Sequence, residues 1–216
     1  MKDLSCLLAA LINLLGPTVL LIFWYQKTGA RLFPAVAAFL ACFPAFFIGN
    51  AIRSGFDHSS FIAFYIQQGL LFGVLEEGTK YLMMRYVLSS YDNRKDAVTY
   101  SIGHAAYEEF AIGIICIGLI GTGKAASDIL FFQLFGFIAD AVLSASLAVI
   151  IFYGIKKEHS VVALPAAILA HAFVNSSNGI FIDSVGAILR ALLTLGISYA
   201  GYRCWKAMKS PFEEDC

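Results

Sequence analysis

The chain has 216 residues, 59% of them hydrophobic and only 14% charged, with a mean hydropathy of +0.76. Soluble domains average about 45–50% apolar and about 25% charged residues, so this composition excludes an ordinary soluble fold and points to a multi-pass membrane protein. Fifteen basic residues balance fifteen acidic ones, which argues against nucleic acid as a partner, since that needs a basic face.

A helix needs about 20 apolar residues to cross a bilayer, and seven stretches qualify: Leu4–Tyr25, Phe33–Ile52, Phe61–Met84, Ala97–Ile120, Ile129–Tyr153, Val161–Ile182 and Val185–Trp205. The first is too long for the apolar region of a signal peptide, and no small-x-small cleavage site follows it; it reads as a retained helix. The third contains Glu76, Glu77 and Lys80 and is the least apolar. The expected fold is an all-α membrane bundle of about seven helices, one integral-membrane domain over 1–216 with its core over about 61–182. The five cysteines (Cys6, Cys42, Cys116, Cys204, Cys216) are scattered without a CxxC. They suggest neither a disulfide framework nor a thiolate zinc site.

The loops are lopsided in charge. One side collects Lys27, Arg31, Arg85, Arg94, Lys95, Lys156, Lys157, Arg203, Lys206 and Lys209; the other has Lys2, Arg53, Lys124 and Arg190. By the positive-inside rule the N-terminus faces out and the C-terminus faces the cytoplasm. The expected location is the plasma membrane of a prokaryote.

Eight ionisable residues fall well inside the expected spans: Glu76, Glu77, Lys80, His104, Glu108, Glu109, Asp140 and His171. Each charge costs about 2.5–3.5 kcal/mol at a helix centre, so these groups must face the bundle interior, pair, or line a wet cavity. In Glu76-Glu77-Gly78-Thr79-Lys80, Glu76 and Lys80 share a face at i,i+4 and can pair, while Glu77 points about 100° away. Two neighbouring carboxylates with one lysine suit acid–base work; a structural ion pair is the competing reading. His104 and Glu108 are also i,i+4, so the carboxylate can orient the imidazole. In His171-Ala172-Phe173-Val174-Asn175 the histidine can serve as base, acid or ligand and the amide can donate to an oxyanion; helix–helix adhesion is the alternative. Glu76, His104 and His171 all lie about 12–18 Å below the expected cytoplasmic border, at one level. Asp140 lies somewhat deeper. Gly69 and Gly73 form a GxxxG that permits close packing beside this level. His58 and His159 fall in loops.

The order Glu-Glu-x-x-Lys, aromatic-x-x-x-His, His-x-x-x-Asn on hydrophobic helices resembles the glutamic-type intramembrane proteases: the PrsW family, the CAAX-protease/bacteriocin-processing superfamily and, most of all, the YhfC family. Its glutamate pair resembles Glu76-Glu77-Gly78-Thr79-Lys80-Tyr81, and its glycine-histidine segment resembles Gly103-His104-Ala105-Ala106-Tyr107-Glu108. The resemblance covers roughly residues 61–182. It implies that Glu76 is the base that activates water and that Glu77 supports it. It further implies that His104 holds the water or the tetrahedral intermediate, and that His171 and Asn175 stabilise the oxyanion. Two departures stand out: CAAX-type members have an arginine one position beyond Lys80, and Tyr100 replaces a phenylalanine. No motif matches at Asp140.

The leading expectation is therefore an intramembrane endopeptidase acting on a membrane-associated protein or peptide within the lipid bilayer. A metal-free reaction is expected first. Zinc held by Glu76, His104 and His171 comes second, because no HExxH forces a metal. Two other classes compete: a non-enzymatic scaffold like the multi-pass scaffold subunit of γ-secretase, and a small proton-coupled transporter, which the lack of an inverted repeat disfavours.

Overall fold

Every apolar stretch forms one helix in the computed structural model, which describes residues 2–122, 129–180 and 184–208. The helices are α1 (Lys2–Thr28), α2 (Phe33–Arg53), α3 (Phe61–Leu82), α4 (Arg94–Gly118), α5 (Ile129–Lys156), α6 (Ser160–Ile180) and α7 (Ser184–Ala207). A π-helical segment, Met83–Val87, extends α3. Lys124, the end of the sixth expected span (181–182) and the tail 209–216 with Lys209 and Cys216 lie outside the described residues.

Five of the seven helices are long and apolar enough to cross a membrane: α1, α2, α5, α6 and α7. The other two reach the same length, 22 residues in α3 and 25 in α4. At about 1.5 Å per residue each is longer than a hydrocarbon core of about 30 Å. Their charges set them apart, and they are the two helices that carry Glu76, Glu77, Lys80, His104, Glu108 and Glu109.

Helix ends follow local rules. Gly29, at φ +62, stops α1 in the left-handed conformation that glycine adopts without strain. Ser60 caps α3. Asn93 and Asp96 form a capping box at the start of α4. Asp96 also receives Arg31, which ties the α1–α2 loop to that end. The Arg31 guanidinium is held more firmly protonated than usual, chiefly by this hydrogen bond.

Large apolar side chains such as Leu8, Leu15, Val19, Phe47 and Leu195 face outward, whereas Ala9, Ala10, Ala38, Ala97, Ala148 and Ala167 are buried. That inversion suits a lipid solvent, where packing rather than the hydrophobic effect joins helices and small residues bring backbones close. Thirteen residues of α4 are buried against four of α3, which makes α4 the central helix, packed on α1, α2 and α5. α3 packs instead on α6. A Cβ at Gly73 would come within 2.8 Å of the Ile168 carbonyl oxygen, and one at Gly69 would overlap Ser176 and Ala172. α3 and α4 themselves scarcely touch, and the site lies between them.

Candidate active site

A cavity of about 320 Å³ opens between α3 and α4 and reaches α2, α5, α6 and α7. Glu76, Glu77, Lys80, His104, Glu108, Asp140, His171 and Asn175 all line it, so the structure brings together every site residue expected from sequence. Their partners differ from the expectation in three respects.

The first concerns Lys80. It pairs not with Glu76 but with Glu77, its Nζ donating to Oε1 at 2.8 Å and Oε2 at 3.0 Å. The i,i+3 spacing serves as well as i,i+4, and here Glu77 and Lys80 turn inward together; both are fully buried. His171 Nδ1–H donates to the same Glu77 Oε1 at 2.7 Å. Glu77 is thus held from two sides. Glu76, with an 18% exposed side chain, is the carboxylate that faces the cavity.

The second concerns His104. Glu108 was expected to orient it, but its Oε1 is 3.7 Å from Nε2, beyond hydrogen-bond reach. Cys42 on α2 holds the ring instead, with Sγ 3.2 Å from Nδ1. Gly103 makes this approach possible, since a Cβ there would overlap the Ala35 backbone.

The third concerns Arg190, assigned above to an outer loop. It lies within α7 and forms an ion pair with Asp140 across the cavity, which supplies a partner for that acid. Sequence reasoning missed both Cys42 and this role of Arg190. An arginine at the sixth position of the apolar stretch Val185–Trp205 was a signal for the second; nothing marked the first among five scattered cysteines.

The two histidines converge. His104 Nε2 and His171 Nε2 each lie 3.4 Å from the same oxygen, Glu76 Oε2. An ionised carboxylate only accepts hydrogen bonds, so Glu77, ionised beside Lys80, fixes the His171 proton on Nδ1. Neutral His171 then presents a lone pair at Nε2, facing another acceptor. Two acceptors at this separation repel unless a proton or a metal ion lies between them. Donor atoms about 2.1 Å from a tetrahedral zinc ion are about 3.4 Å apart. The spacing of Glu76 from each imidazole therefore suits ligands of one ion, and the backing of His171 by a carboxylate is a common feature of metal-binding histidines. Among the described residues, Glu76, His104 and Glu108 form a group of three donors whose ligand atoms all lie within 4.8 Å of one another. This set has Glu108 where the sequence expectation had His171; His171 stands outside it and approaches it at the Glu76 oxygen, 3.4 Å from its Nε2.

Residues 24–120, 97 of the 216, match the model of a family described as YhfC intramembrane metalloprotease. The match includes Glu76, Glu77, Lys80, His104 and Glu108 and ends before Asp140, His171, Asn175 and Arg190. No curated protein and no solved structure shows a significant match.

Proposed function

We propose that this integral membrane protein is an intramembrane peptidase that hydrolyses a peptide bond in a membrane-associated protein or peptide, with a divalent metal such as zinc at the cavity. The observation that carries the reading is the convergence of two imidazole Nε2 atoms, each at 3.4 Å, on one carboxylate oxygen. The partial match to a metalloprotease family supports it. Both weigh toward the metal-dependent alternative over the metal-free one ranked first from sequence.

In this reading Glu76, His104 and His171 hold the ion. A bound divalent ion supplies positive charge that activates water and polarises a carbonyl. Glu77 and Lys80 position: their mutual bonds and the His171 bond keep that imidazole aimed at the cavity. Among the described residues Glu108 has no bond shorter than its 3.7 Å approach to His104, so its carboxylate is available to take the proton from the attacking water. Asn175 lies one turn beyond His171 on α6 and lines the cavity; its amide donates to the developing oxyanion. The basic end of the bundle faces the cytoplasm.

Cleavage of membrane-anchored peptides by purified protein, with metal analysis on the same samples, tests this. Glu108→Gln is expected to retain stoichiometric metal and lose at least about 100-fold in turnover, the usual weight of a general base. Glu76→Gln is expected to lose metal and activity together. Activity that survives chelation would instead make Glu76 the base of a metal-free reaction. Absence of cleavage for every peptide, with Glu76→Gln changing only stability, would favour the scaffold.

A further inference from the structure

Cys42 lines the cavity but has no part in the chemistry above. Its side chain is buried, and Sγ lies 3.2 Å from His104 Nδ1. Nδ1 and Nε2 are on different sides of the ring, and Nε2 is the atom that faces Glu76. Cys42 is therefore behind the histidine and is not a further donor to an ion in front of it.

The two histidines are backed by unlike groups. Glu77 only accepts, so neutral His171 has one tautomer, with its lone pair at Nε2. A thiol can either donate or accept, so His104 has two. In one, the Cys42 S–H donates to Nδ1, and Nε2–H points at Glu76. In the other, Nδ1–H donates to Sγ, and Nε2 presents a lone pair. The forms hold the same number of protons. The ring proton moves between nitrogens, and the S–H turns about the Cβ–Sγ bond.

We propose that Cys42 is a positioning residue whose two-way hydrogen bond lets His104 present an N–H to Glu76 when the site is empty and a lone pair when a cation enters. The inference rests on the metal-dependent reading of the cavity and assigns to it a residue on α2. It makes His171 the constant member of the pair and His104 the adjustable one.

The test uses the full chain in detergent with 15N-labelled histidine, the His104 signals being those lost in His104→Gln. Ring-nitrogen shifts and zinc affinity are measured for wild type, Cys42→Ser, which keeps both donor and acceptor, and Cys42→Ala, which has neither. Metal-free wild type is expected to show His104 protonated at Nε2, and zinc-loaded wild type at Nδ1. Cys42→Ala is expected to mix the tautomers and weaken zinc binding about 10–100-fold, the usual loss when a partner behind a ligand is removed; Cys42→Ser is expected to recover most of it. The thermal midpoint of metal-free Cys42→Ala checks folding, and Cys42→Val, which fills the space without a hydrogen bond, replaces it if it fails. Identical His104 tautomers and equal zinc affinity in wild type and Cys42→Ala would overturn the proposal. A wild type that takes up no zinc would count against the metal-dependent reading instead. The metal-free spectra would then decide the role of Cys42: a mixture appearing only in Cys42→Ala supports it, and no difference overturns it.

Discussion

Adjacent glutamates on α3 have opposite environments, and their substitutions separate accordingly. Glu77→Gln leaves the fully buried Lys80 without a charged partner and weakens the support of His171. Breaking a buried ion pair costs about 3–5 kcal/mol, so this variant is expected to unfold at a clearly lower temperature. Glu76→Gln keeps the size of a partly exposed side chain whose contacts to both histidines are long, and its thermal midpoint is expected to stay near that of the wild type. Thermal unfolding of the two purified variants checks the order; a larger loss for Glu76→Gln would reverse the assignment of Lys80. Glu109 differs again. It is 1% exposed, and neither carboxylate oxygen has a hydrogen-bond partner among the described residues. Glu109→Leu relieves a buried unsatisfied group and is expected to raise stability by about 1–3 kcal/mol. A marked fall would mean that the carboxylate holds something essential.

At the scale of the helices, the separation of α3 from α6 sets the site. The Glu77–His171 bond is possible because Gly69 and Gly73 let the two backbones approach. Gly73→Ala forces a Cβ against the Ile168 carbonyl and is expected to push α6 outward, lengthen the Glu77–His171 bond and reduce turnover at least as much as stability. Gly78→Ala in the same helix is the control: a Cβ there meets nothing within 4 Å. Removing a mid-helix glycine is expected to stabilise by about 0.5–1 kcal/mol. Activity and unfolding measured on both variants check this, and equal effects would show that α3–α6 spacing does not govern the site.

For the whole molecule, the described basic residues Lys27, Arg31, Arg85, Arg94, Lys95, Lys156, Lys157, Arg203 and Lys206 fall at one end of the bundle. Contacts join that end: Arg94 donates to the Trp205 carbonyl at 2.8 Å, Lys95 Nζ to the Thr28 carbonyl at 3.2 Å, and Trp24 meets Trp205 edge-on. By the positive-inside rule, the orientation proposed here puts this end in the cytoplasm. A single cysteine at Lys157 is expected to resist an impermeant thiol reagent in intact cells, while one at Asp57 reacts. The reverse pattern would invert the orientation, and labelling at both positions would break the seven-span topology.

The seven helices were legible in the sequence because lipid demands long apolar stretches, and composition records that demand directly. The residues that line the cavity were legible for a related reason: a charge inside such a stretch is costly, so Glu76, Glu77, Lys80, His104, Glu108, Asp140 and His171 stand out against their surroundings. Helical spacing then offered Lys80 two glutamates, at three and four residues, with nothing in the chain to choose between them. That choice was made by α6, which carries His171 up to Glu77 and turns Glu76 toward the cavity. Cys42 had no signal of its own, since a thiol in an apolar helix is ordinary until another helix sets an imidazole against it. Arg190 was visible as a charge in a span, but its partner on α5 is set by packing alone. The sequence by itself determined which groups must be kept from lipid, because that depends on the transfer energy of each residue; only the tertiary structure decided which of them face one another, because that depends on how closely backbones from different helices approach.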